Sequence, residues 1–159
     1  DEIYRLCQDI YIYFKDKYSL YKYLLLNYNH EIRKAIAQDI KPHHTRFEAE
    51  KIGLKAFLQY IRKHKHVYNI IWESLYIDKN LFIEYYENFA SRYLQGLEAA
   101  QEKGEIIDVD PTVLSYFLMG VSNFIGLKYV MFDENDEESF DHVVDQVMEI
   151  LRTGIFLGK

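Results

Sequence analysis

The chain has 159 residues, enough for one domain with a sizeable core, and at 49% apolar and 28% charged residues it is too hydrophobic to be disordered. Its net charge of −6 excludes a surface that grips nucleic acid all over; the acid excess lies beyond residue 40, while residues 1–40 hold six acids and six bases. Two prolines and seven glycines favour long helices over many-turned β structure, and fifteen Tyr and ten Phe exceed what a small core needs, which points to a lined cavity or an interface.

Helix signals then follow one another along the chain. Asp16 can cap a helix beginning near Lys17, with Leu20, Tyr23, Leu24, Tyr28, Ile32, Ala35, Ile36 and Ile40 at steps of three and four. Pro42 stops it, and His43-His44 connects to Thr45-Arg46-Phe47-Glu48, a capping box in which hydroxyl and carboxylate each satisfy an orphan N–H. That second helix runs to about Lys63 with a stripe of Ile52, Ala56, Phe57, Tyr60 and Ile61. Val67 to Ile77 is apolar on nearly every side, which predicts a short helix buried all round. Asp78 caps the next helix, which carries Phe82, Tyr85, Tyr86, Phe89, Tyr93, Leu97 and Ala100 and ends at Lys103-Gly104.

Asp110-Pro111 opens a fifth helix reaching Phe132. Its uncharged run, Pro111 to Leu127, is short for a membrane span and contains Ser115, Ser122 and Asn123, so a core helix covered on both sides is expected. The acidic stretch Asp133 to Glu138 leads to a last helix with Phe140, Val143, Val144, Val147, Leu151 and Ile155 on one stripe. Six helices and no strand predict an all-α helical bundle.

Several chemistries find no support. There is no phosphate loop, nucleophile elbow or CxxC, so no enzyme is expected. His43-His44 and His64-x-His66 lack zinc-ligand spacing, and the acidic stretch lacks the calcium-loop pattern, so neither metal nor cofactor is expected. A single cysteine, Cys7, cannot form an internal disulfide, and no signal peptide is visible; both agree with a cytoplasmic protein.

The segment Tyr11-Ile12-Tyr13-Phe14-Lys15-Asp16-Lys17 offers phenolic donors and two ammonium groups for phosphate oxygens beside a helix start. A solvated aromatic loop has the same composition. Ile10 to Leu20 as a whole resembles the junction of TetR-family transcriptional regulators, where an aromatic-x-aromatic-aromatic-basic stretch closes the recognition helix and runs into a long helix. Glu98-Ala99-Ala100-Gln101-Glu102-Lys103-Gly104-Glu105-Ile106, and the helix from Asp110 to Met131, are similar to the segments before and within that family's eighth helix.

The resemblance implies that residues 1–17 are a remnant of a helix-turn-helix DNA-binding domain and that 18–159 form a ligand-binding and dimerisation domain. Tyr11, Tyr13, Lys15 and Lys17 would then contact the phosphates of a double-stranded operator, and Phe14 would pack inside the DNA-binding domain. The front departs from the pattern, since Gln8 joins Asp9 with no turn residues between them and the first helix of the motif is absent. Either residues are missing there or the reading unit is truncated, so base-reading residues cannot be named.

By the same resemblance the middle helices bind a small apolar or aromatic ligand. The expected lining is Phe57, Tyr60, Tyr68, Trp72, Tyr76, Tyr85, Tyr86, Phe89 and Tyr93, with Glu73 and Asn123 as polar anchors. At helical spacing such aromatics are otherwise simple core. The last two helices would form a four-helix homodimer interface through Phe117, Val121, Phe124, Ile125, Lys128, Val144, Val147, Met148 and Leu151. The function implied is a repressor released from its operator by the ligand. The alternative is a helical dimeric ligand-binding or interaction module without DNA binding.

Overall fold

A computed structural model describes residues 15–132 and 139–154. Among them are six α-helices and no strand: α1 Lys17–Ala37, α2 Arg46–Lys63, α3 His66–Ile77, α4 Lys79–Glu102, α5 Pro111–Gly126 and α6 Asp141–Thr153. A π-helical turn, Leu127–Phe132, continues α5. The all-α bundle expected from the sequence is the observed architecture. The expectations for Tyr11, Tyr13 and Phe14, for the acidic stretch 133–138 and for Ile155 lie outside the described residues.

Local chemistry sets the helix starts. Asp16 accepts the Ser19 N–H at 2.7 Å, Asp78 that of Asn80 and Asp110 that of Thr112. Thr45 and Glu48 complete the capping box. Each supplies an acceptor to an amide that the helix itself cannot satisfy. Gly104, at φ +70°, lets the chain turn off α4.

Helix α2 is the hub. Its face of Gly53, Leu54, Phe57, Leu58 and Ile61 is buried, and it packs against α1, α5, the π-turn and α6. α1 lies against α2, α3 and α4, and α5 packs on α4 and α2. The side of α1 that faces the core is Tyr21, Leu25, Asn29, Ile32 and Ile36. The expected stripe shares Tyr28, Ile32 and Ile36 with the core-facing side, but Tyr23, expected inside, is exposed, and Tyr21, Leu25 and Asn29 were not in it. The position that pins this face is polar: Asn29 donates to the Tyr85 carbonyl at 3.0 Å.

Two helices are less enclosed than expected. α3 buries only Val67, Tyr68, Ile71 and Ser74, because α1 and α4 cover one side of it; Trp72 and Tyr76 face outward. α5 has neighbours on one side, so Val113, Phe117 and Phe124 are exposed. By length and composition Pro111–Phe132 could cross a membrane, and it is the one such helix among the described residues.

α6 docks on α2 through Val144, Val147 and Met148, all buried within the single chain. Lys51–Asp145 (2.7 Å) and Lys55–Asp141 pair across that seam, and the Arg62 guanidinium lies 4.3 Å from the Phe140 ring centre. Exposed pairs of this kind contribute little beside the apolar contact.

The join of α3 to α5 depends on a glycine. A Cβ at Gly126 would sit 2.2 Å from the Tyr68 hydroxyl oxygen and 3.3 Å from Phe57. That oxygen donates its proton to the Asn123 carbonyl at 2.9 Å. Gly126→Ala is expected to displace the phenol and lower stability by about 1–3 kcal/mol, the cost of orphaning a buried polar pair. Urea unfolding measures the loss, and adding Tyr68→Phe to the alanine variant should recover part of it.

Candidate functional site

Between the C-terminal half of α1, the first turns of α2, the middle of α4 and the inner face of α5 lies a cavity of about 220 Å³. Its apolar wall includes Ile36, Leu54, Phe57, Phe89 and Met119. Gly53 faces Ile36, and a Cβ there would approach the Ile36 side chain to 3.2 Å, so the glycine lets α1 and α2 close beside the cavity.

The polar wall is a connected set. The Arg46 Nε donates to Glu50 Oε1 at 2.7 Å, and its Nη2 reaches the same oxygen. The Tyr93 hydroxyl donates to Glu50 Oε2. The Arg46 guanidinium also lies 5.0 Å from the Tyr93 ring centre. Both side chains of the ion pair are mostly buried, so the phenol and the ring contact offset part of the desolvation that an isolated pair would suffer. Gly96 makes room for this guanidinium, since a Cβ there would come within 2.5 Å of Arg46 Nη1. Burial pushes the Tyr93 phenol well above its usual range, and the neighbouring Glu50 charge adds to the effect. Burial raises Tyr85 as well, and pushes Tyr86 up to about 12.

A second, more open groove of about 410 Å³ runs along the outer side of α5, with Tyr68, Trp72, Phe82, Tyr116 and Phe124 on its walls. Tyr86, Met119 and Asn123 line both spaces and form the partition between them.

The residues read from the sequence as ligand contacts divide accordingly. Phe57, Tyr85, Tyr86, Phe89, Tyr93 and Asn123 line the cavity, and Tyr68 and Trp72 line the groove. Three belong to neither. Tyr60 sits against His64, with ring centres 4.5 Å apart; Glu73 is exposed and accepts the Tyr21 hydroxyl; Tyr76 is 87% exposed. Tyr60 lies off the cavity side of α2, and no residue of α3, which carries Glu73 and Tyr76, lines the cavity.

The four charged residues of the cavity wall, Arg33, Arg46, Glu50 and Arg92, were not among the expected contacts. A signal existed for two, because Arg46 and Glu50 precede Gly53, Leu54 and Phe57 at steps of four and three, which sets an ion pair on the apolar stripe itself.

The expected dimer residues also divide. Val144, Val147 and Met148 are buried against α2 within their own chain. Val121, Ile125 and Leu151 are partly buried against the same core. Phe117 and Phe124 of α5, and Lys128 of the π-turn, are exposed. Lys15 and Lys17 are exposed at the start of α1. Among the described residues no group of three or more His, Cys, Asp or Glu comes together as a metal site.

Compared with family models and with curated proteins, the chain matches none.

The phenols give the cavity a pH signature. A buried phenol keeps its proton in the folded state to a pH at which the unfolded chain, ionising near about 10, has lost it. The resulting stability is complete below about pH 10 and is lost as pH rises toward the folded value. The denaturation midpoint should therefore fall between about pH 10 and about 12, and Tyr86→Phe should make that fall shallower.

Proposed function

We propose that this chain is the sensing and dimerising body of a DNA-binding transcriptional regulator of the TetR kind, a cytoplasmic repressor that leaves its operator when a small, largely apolar ligand fills the cavity. The observation that carries the reading is the placement of α1. Its C-terminal half supplies Arg33 and Ile36 to the cavity wall, with Ile40 from the turn that follows, and its N-terminal end adjoins the aromatic and basic segment Tyr11 to Lys17. Lys17 and Arg33 are separated by roughly 24 Å of helix at 1.5 Å per residue. A rigid rod of that length, touched by ligand at one end, carries a small tilt to the other. Two reading heads must meet successive major grooves, so a change in their separation weakens operator binding. The ligand acts only to the extent that it binds the two states unequally.

Pairing of two copies would use the open side of α5. Val113, Phe117 and Phe124 stand 64%, 53% and 69% exposed there, and Gly120, between them, has open space around it. α6 contributes less than the sequence implied, since Ile150 is the large apolar side chain it leaves exposed among the described residues.

A second reading, a dimeric ligand-binding or interaction module without DNA binding, draws on Asp16. Its carboxylate occupies the Ser19 amide at the head of α1, which a phosphate oxygen would otherwise take.

Fluorescence anisotropy of the complete protein on DNA from its own upstream region separates the two. Preference over random DNA is expected, and Lys17→Ala should reduce the salt slope by about one ion. No preference sinks the repressor reading. Sedimentation tests the pairing: Phe124→Asp should yield monomers with an unchanged helical spectrum.

A further inference from the structure

We propose that the cavity ligand is an amphipathic organic carboxylate, its headgroup held by Arg33 and Arg92 and its body lying against Phe57, Phe89 and Met119. This rests on reading the cavity as the sensing site and names what it senses.

The charge of the lining is the first ground. Three arginines and one glutamate border the cavity, so 3 − 1 leaves a charge of +2 in a chain whose net charge is −6. The second ground is how that glutamate is used. Both Glu50 oxygens are engaged, one by Arg46 and the other by the Tyr93 hydroxyl. The trio is closed, and Glu50 is not free to neutralise another cation. Arg33 spends its Nε on the Asn29 carbonyl at 3.1 Å and has no further partner among the described residues. Arg92 has none among them. Two guanidinium groups outside the closed trio thus border the cavity without a counter-charge, an arrangement suited to the planar, two-oxygen geometry of a carboxylate.

The remaining lining sets the rest of the molecule. Phe57, Phe89 and Met119 offer dispersion contact and no donors, so the body is hydrocarbon or aromatic. A cavity of roughly 150 Å³ accommodates benzene. By that scale about 220 Å³ takes a ligand of roughly ten heavy atoms. Octanoate and cinnamate are of that size and kind.

Calorimetric titration of the full protein with octanoate and cinnamate, against octanol and cinnamyl alcohol, tests the assignment. The acids are expected to bind about ten-fold or more tightly than the alcohols, the difference made by charge-assisted hydrogen bonds. Arg33→Gln and Arg92→Gln should erase most of that preference, whereas Phe89→Ala should weaken acids and alcohols alike. Arg92 is exposed, so its variant should fold normally, and circular dichroism checks that it does. The proposal is overturned by equal binding of acids and alcohols, by a preference that survives in both arginine variants, by tighter binding of octyl phosphate, or by no binding of any probe. DNA release is scored separately. Acids that bind without altering DNA affinity overturn the sensing role and leave the ligand class standing; operator selectivity with no acid binding does the reverse.

Discussion

Leu58 has no exposed surface and Ile61 almost none, and both sit on a helix that must satisfy neighbours on several flanks at once. That requirement on α2 governs the rest of the bundle. A helix with one apolar stripe can be covered by a single partner, but the wide face from Gly53 to Ile61 needs α1 on one side and α5, the π-turn and α6 on the other. Close packing then leaves each neighbour little choice of position. Because α6 is recruited to α2, its valines are spent inside the chain. Because α5 lies at the edge, its outer side is left apolar and open.

The same helix carries the polar part of the cavity at its first turns, ahead of the core stripe. Arg46 and Glu50 are one helical turn apart, so their pairing is set by helix geometry before any tertiary contact forms. Tyr93 then brings α4 to them, which ties the cavity's shape to the register of α2 against α4. Gly96 is part of that register, since the guanidinium occupies the volume a larger side chain would fill. The aromatic content of the chain has a physical use here. Phenols present an apolar body to the core and one hydroxyl to a fixed acceptor, as Tyr68, Tyr93 and Tyr21 each do.

Much of the fold was legible because helix ends are written in local chemistry. Asp16, Thr45 with Glu48, Asp78 and Asp110-Pro111 act within a few residues of themselves, and each begins a helix where the sequence placed it. Faces were harder to read. α1 carries aromatic or aliphatic side chains on most of its circumference, so periodicity admitted two neighbouring stripes, and the deciding contact was a polar one, Asn29 on the Tyr85 carbonyl. Burial of α3 and α5 was overestimated because composition tells how much apolar surface exists and not how many neighbours arrive to cover it. The aromatic half of the cavity was expected through the family resemblance, because spacing by itself reads such residues as core, whereas Arg33 and Arg92 were not, since arginines on a helix usually mark a solvated side.

The close approach at Gly126 also bears on how such a sequence can drift. Tyr68 and Gly126 are distant in the chain yet share one small volume, and the phenol occupies the place of the missing side chain. Neither position is free to vary by itself: a methyl group at 126 is compatible only with a shorter ring substituent at 68. In related sequences the two should therefore change together, a pair of columns bound by steric exclusion rather than by attraction, and such a coupled change would mark this α3–α5 contact even where overall similarity has faded.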